Sequence, residues 1–272
     1  MNSFTKDKLE SEDAKLVDKA GELMDQNELV PAIKLLKQVI SNTPIDYSNE
    51  YEINNTKFIK FWDKNQFVHF VTWKRQFEEV VEVDWIPNAY PKACFYMGCI
   101  YSHKKQFEAA LPYLSKGYLL EPTNPLIVFE LAYAHLALGN TAQSIKLFNK
   151  VNKESEYVSG RDYAKSLRGK GIALIDLGNL DRAEYYLLES LKGDPGNQLA
   201  HDELLYISQL RNGGKHQAVN KLVTSDLVSV ECKYCQNIQD LSIHNVDGES
   251  FYICPQCEGK NGSPQVSRHF EV

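Results

Sequence analysis

Four cysteines near the end of the chain have the residue types and spacing best suited to chemistry. Cys232-Lys-Tyr-Cys235 and Cys254-Pro-Gln-Cys257 form two C-x-x-C pairs with eighteen residues between them. The thiolate is the metal-binding form of cysteine, and a two-residue spacer lets both sulfurs of a pair wrap one side of a tetrahedral ion. This spacing predicts a zinc site formed by Cys232, Cys235, Cys254 and Cys257, with iron the alternative that four sulfurs also accept. Four protein ligands leave no open position, so the ion is expected to be structural. The remaining cysteines, Cys94 and Cys99, lie five apart on an expected helix and face different ways, so they cannot bridge each other. Thiols used in this way fit a reducing compartment, and a cytoplasmic location is expected.

Between the pairs, apolar residues alternate on either side of Asp247-Gly248, a dipeptide that favours a tight two-residue hairpin turn. Knuckle, hairpin and knuckle together resemble a zinc ribbon and are similar to rubredoxin-like metal modules. A unit this small depends on its ion, which contributes on the order of 10 kcal/mol to folding. From Glu231 to Val272 there are three cations and six acids. Four thiolates and one divalent ion make the module more negative still, so a phosphate backbone is a poor partner.

What must position this module is a body of a different kind. Aligned on a 34-residue period, residues 91–124 present Gly98, Tyr101, Ala110, Leu114, Gly117 and Pro122, and residues 164–197 present Gly171, Leu174, Gly178, Ala183, Leu187 and Pro195. Residues 13–46 offer Ala20, Leu23, Ala32, Leu36, Val39 and Pro44; residues 125–158 keep Leu131, Ala132, Gly139, Phe148 and Val151, with Ser144 and Glu156 as departures. Small residues at the eighth and twentieth places let two helices approach, large ones fill around them, and proline ends the second helix. Gly139 and Gly178 sit where the first helix must reverse. The pattern resembles the tetratricopeptide repeat family.

That resemblance implies an α-solenoid whose first helices line a concave groove. Carried across, it places Phe95 and Cys99 there from the second repeat, then Phe129, Tyr133 and Leu136, then Lys165, Arg168 and Ile172. An apolar, aromatic centre with cations to one side suits a helix or peptide of a protein partner. The family's clamp for a C-terminal carboxylate falls on Phe95, Cys99, Glu130, Lys165 and Gly169, of which only Lys165 agrees. Repeats followed by a rubredoxin-like module also resemble the bacterial lipopolysaccharide-assembly regulators, adaptors for a protease. Here the repeats are fewer and no glycine follows the second cysteine of either pair.

The expected architecture is therefore all-α over residues 1–225, with a zinc-ribbon module at 226–272. A degenerate last helix pair is expected at 198–225, broken at Arg211-Asn-Gly-Gly214. Residues 45–90 lack the signature, and Phe58, Phe61, Trp62, Phe70, Trp73 and Phe77 recur at three- and four-residue steps, predicting a helical insertion. A net charge of −6 gives no bulk attraction to nucleic acid. No secretory leader or membrane-spanning run is visible. Phosphate-binding glycine loops, G-x-S-x-G and H-E-x-x-H are also missing from the sequence. The expected function is a non-enzymatic protein-binding adaptor. The alternative is a regulator touching nucleic acid through the ribbon and Arg211, Lys215 and Lys221.

Overall fold

The computed structural model describes residues 3–54, 56–76, 82–220 and two strands at 227–231 and 238–242, with backbone alone at 3–8 and in those two strands. Ten α-helices occur among them. Eight pair in sequence: α1 (Ser3–Asp25) with α2 (Leu29–Ser41), α4 (Tyr90–His103) with α5 (Phe107–Leu120), α6 (Pro125–Ala137) with α7 (Thr141–Phe148), and α8 (Gly160–Asp176) with α9 (Leu180–Gly193). Numbering leaves α3 for the insertion described below, while α10 (Gln198–Arg211) packs on α9 at the end of the stack.

The small-against-large pairing is visible atom by atom. A Cβ added to Gly98 would lie 2.2 Å from Leu114 Cδ2, and one added to Gly171 would lie 2.7 Å from Leu187 Cγ. Both leucines are fully buried. The helix-reversing turns share one backbone solution. Asn27, Lys105, Gly139 and Gly178 all have positive φ, at 59°, 56°, 77° and 72°, and all fall at the fifteenth place of their repeat. Asparagine tolerates this left-handed conformation; lysine adopts it against its own preference. The α7 helix is short, and the long connection after it buries Val151 and Val158. No helix among the described residues is long and apolar enough to cross a membrane.

Residues 45–90 correct the expectation of an all-α body with a helical insertion. They form β1 (Glu50–Ile53), β2 (Thr56–Phe61), α3 (Lys64–Gln76) and β3 (Glu82–Pro87), in a sheet of order β1-β2-β3. β1 and β2 are antiparallel and pair Ile53 with Thr56, leaving a two-residue turn in which Asn54 has φ 50°. β2 and β3 run parallel, with α3 as the crossover that parallel pairing requires. The misreading has a physical cause. β2 buries Ile59, Lys60 and Phe61 in succession, so it shows no polar–apolar alternation to mark a strand. The aromatic steps mix β2 with α3, whose Phe70 stands edge-on to Phe61 at 5.5 Å.

At the far end the degenerate pair opens with α10, and helix resumes at Val219 and Asn220. Residues 212–218 have no regular structure, and the break falls at Gly213, with φ 91°.

Candidate functional site

The inner residues of α4, α6 and α8 form a row that mixes rings with charges. Lys165 Nζ stands 4.9 Å from the centre of the Phe129 ring and 5.9 Å from that of Tyr133, within range of attraction to each ring face. Burial pushes the Glu130 carboxyl above its ordinary range, and the neighbouring Lys165 charge opposes the shift. Burial also raises the Cys99 thiol well above its usual value, reinforced by Glu130, so Cys99 stays protonated and unreactive. Arg168 donates to Asp194 Oδ2 at 3.1 Å. Gly169 is confined by Phe148, whose ring would lie 2.2 Å from an added Cβ.

The row is not an open groove in this conformation. Phe129, Leu136 and Ile172 are fully buried, and Tyr133 and Arg168 expose only 5% and 6%. Lys165, Cys99 and Phe95 are partly exposed. Phe95 is covered from the insertion by the Trp62 ring, 5.0 Å away. Toward the other end, Val219 is buried in the same apolar cluster as Phe129, Leu136 and Ile172. The chain's own segments therefore take up much of the wall that the repeat pattern assigns to a partner.

The insertion is held by a buried polar junction that the sequence did not advertise. Lys60, on β2, reaches Glu10 of α1 at 2.8 Å, with both side chains 7% exposed or less. The same ammonium donates to the Ser48 carbonyl at 2.8 Å and lies 4.1 Å from the centre of the Tyr47 ring. Beside it, Glu121 accepts from Trp62 Nε1 at 2.7 Å, Asn88 Nδ2 at 3.1 Å and Asn124 Nδ2 at 3.0 Å. Burial raises its carboxyl to about 7 despite these three donors, and Glu10 adds to the rise. From the connection after α7, the Tyr157 hydroxyl donates to Glu50 at 2.7 Å, and its ring packs on Phe70.

Between α1, α4 and the insertion lies a cleft of about 330 Å3, lined by Ala14, Asp18, Phe61, Trp62, Trp85, Pro87, Asn88 and Lys92. Lys92 Nζ meets Asp18 at 2.9 Å on its rim. The Trp85 indole donates to the Phe61 carbonyl at 3.1 Å and stacks on Phe67, yet 42% of the residue is exposed. Sequence reasoning placed Lys92 on the inner wall but missed Trp62, Trp85 and Asp18 as site residues. The only signal for the tryptophans was their presence in the segment without a repeat signature.

The four cysteines expected to hold a metal, and the hairpin expected at Asp247-Gly248, lie outside the described residues. A different hairpin brackets the first pair: β4 (Leu227–Glu231) and β5 (Ile238–Ser242) are antiparallel and pair Glu231 with Ile238. Among the described residues no group of His, Cys, Asp and Glu is arranged to hold a metal. Of the cations suggested for nucleic acid, Arg211 is held by Asp181 at 2.7 Å and Glu184 at 2.9 Å. Lys215 is exposed, and Lys221 lies outside the described residues.

Comparison with known proteins bears on the repeats. The family model described as Tetratricopeptide repeat matches residues 103–156. None of the curated proteins matches the chain in sequence. Among solved structures the chain is similar to the MamA RS-1 ArsTM double mutant, with TM-score 0.50 and 13% identity over 75% of this chain and 87% of that one. It is also similar to a tetratricopeptide repeat protein from Parabacteroides merdae, with TM-score 0.48 and 16% identity over 73% and 60%. The second such domain of human RPAP3, in complex with an HSP70 peptide, gives TM-score 0.38 and 23% identity over 43% and 98%. The family match marks residues 103–156 as tetratricopeptide repeat, and the likeness to MamA shows that the fold of the chain's body is a helical solenoid of stacked hairpins.

Proposed function

We propose that the chain is a protein-interaction adaptor that receives a segment of a protein partner in the cleft between α1, α4 and the insertion. The observation that carries this reading is the cleft itself, about 330 Å3 walled by Phe61, Trp62, Trp85 and Pro87. Both indole N–H groups are already used within the chain, so the rings offer a partner their apolar surfaces. Aromatic pockets with a few polar groups at the rim are where interfaces concentrate their binding energy. Here the rim is Asp18 with Lys92, which favours a segment with an apolar anchor beside a charged residue.

Affinity capture from the native host tests the proposal. A stoichiometric protein should be retained by the wild type and lost with Trp85→Ala and with Lys92→Glu. A peptide from its bound region should then titrate the wild type alone. Undiminished capture by both variants would remove the cleft from consideration.

The cysteine module is proposed as a structural zinc site held by Cys232, Cys235, Cys254 and Cys257. The donor set fits the ion, since four thiolates at knuckle spacing can close a tetrahedron. The β4–β5 register supports it, because Cys232 and Cys235 fall in the six-residue connection between paired strands. When bound, the ion would act as a cross-link between the two knuckles. A reducing compartment such as the cytoplasm keeps those thiols available.

A further inference from the structure

Glu121, the C-cap residue of α5, ties the solenoid to the wall of the tryptophan cleft through a single atom. Its Oε2 accepts from Trp62 Nε1, just after β2, and from Asn88 Nδ2, just after β3, and both residues line the cleft. Its Oε1 accepts from Asn124, the N-cap of α6. All three donors are neutral, and the Lys60 ammonium nearby is paired with Glu10. Asn88 Oδ1 is buried with no hydrogen-bond partner among the described residues. A cavity of about 20 Å3, room for a single water, reaches Glu121 between Lys60, Gln66, Asn124 and Tyr157. An ionised Glu121 and the bare Asn88 oxygen would therefore both gain from contact with solvent.

We propose that Glu121 is a proton-operated latch on the cleft: while it holds its proton, Trp62 and Asn88 stay docked as one wall, and once it is ionised they part from the solenoid and admit water. With the cleft as the partner's site, on which this regulation rests, a partner finds its wall whole in the proton-bound form. Opening also draws the Trp62 ring away from Phe95, which it covers at 5.0 Å.

Burial raises the Glu121 carboxyl from 4.5 to about 7, with its hydrogen bonds to Asn124, Trp62 and Asn88 opposing the rise. Docking thus favours the neutral form, and hydration returns the group to its ordinary range. The opening equilibrium should climb about tenfold per pH unit from about 4.5 and level off above about 7, about 300-fold higher in all. The other ionisable groups about the junction are Glu10 of α1, Lys60 of β2, Tyr47, Tyr90 and Cys94 of α4, and Tyr157. Burial holds the three tyrosines and the thiol above their ordinary values, so they keep their protons through this range. Glu10 and Lys60 offset each other as a pair.

Hydrogen exchange of the indole N–H groups in the full chain, followed by NMR from pH 5 to pH 8, tests the latch. Signals are assigned from the single variants Trp62→Phe, Trp73→Phe and Trp85→Phe. Once the base catalysis common to all indoles is divided out, Trp62 should exchange about 70-fold faster at pH 8 than at pH 5. Glu121→Gln has nothing to ionise and should show no such gain. The Trp85 indole, which donates to the Phe61 carbonyl within the insertion, should show none in either protein. No gain at Trp62, a gain that survives in Glu121→Gln, or an equal gain at Trp85, the mark of an insertion that unfolds as a whole, overturns the latch. Capture by Trp85→Ala and Lys92→Glu judges the cleft as a partner's site, whereas indole exchange needs no partner, so either can fail without the other.

Discussion

Replacing Glu121 with glutamine should make the protein more stable above neutral pH and leave it almost unchanged at pH 5. Glu121 is 4% exposed, and burial holds its carboxyl at about 7 against an ordinary 4.5. A folded-state value above the unfolded one means that the protonated form is favoured by folding. The stabilising contribution is therefore complete below about pH 4.5 and is lost as pH rises through about 7. At 1.36 kcal/mol for each tenfold change in proton affinity, the gap corresponds to about 3 kcal/mol. Glutamine is neutral at every pH and keeps an oxygen for Trp62 Nε1 and Asn88 Nδ2, which share Oε2. Its amide nitrogen would face Asn124 Nδ2, costing one hydrogen bond, about 1 kcal/mol. The variant should then exceed the wild type by about 2 kcal/mol at pH 8.5. Urea unfolding of both proteins at intervals from pH 5 to pH 8.5 measures this, and the other titrating groups cancel in the difference. A difference that does not vary with pH, or a wild type that gains on the variant toward pH 8.5, would refute the reasoning.

Other outcomes follow from equally local causes. Lys60→Met strands Glu10 as a buried charge and should cost about 3–5 kcal/mol in denaturant unfolding, whereas Glu10→Met/Lys60→Met should recover most of it. Gly178→Ala should destabilise by about 1 kcal/mol through backbone strain alone, since an added Cβ meets nothing within 4 Å. The converse change, Lys105→Gly, relieves that strain and should raise the melting temperature, with a gain of about 0.5–1 kcal/mol. Elemental analysis of the purified chain should find zinc equimolar with protein. Cys235→Ser should abolish it while the helical circular dichroism persists.

How much was legible depended on whether the determining contact was local. Gly98 with Leu114 and Gly171 with Leu187 repeat at fixed spacing because each pair belongs to one helical hairpin. The turn glycines were readable for the same reason, while Asn27 and Lys105 take the same backbone shape without a residue type that announces it. The insertion was misread because β2 is covered on both faces, which removes the alternation that marks a strand; the asparagine turn at 54 was the overlooked clue. Phe129 and Leu136 lie on α6 and Ile172 on α8, the first helices of their hairpins, as the repeat register implies. Their burial could not be foreseen, because the cluster that encloses them gathers residues from far along the chain, Val219 among them, 47 residues or more away in sequence. Glu121 and Lys60 carried no signal at all, since a buried charge is recognised only through its distant partners.

The contacts of the insertion change how force and heat should travel through the molecule. A simple stack of repeats touches only its nearest neighbours and frays from its tips, unit by unit. Here Lys60 to Glu10, Trp62 to Glu121 and Tyr157 to Glu50 lash the first three hairpins to one small sheet, across as many as 107 positions of chain. Stretched by its two termini, this end should yield in a single rupture, while the α8–α10 end peels away in smaller steps.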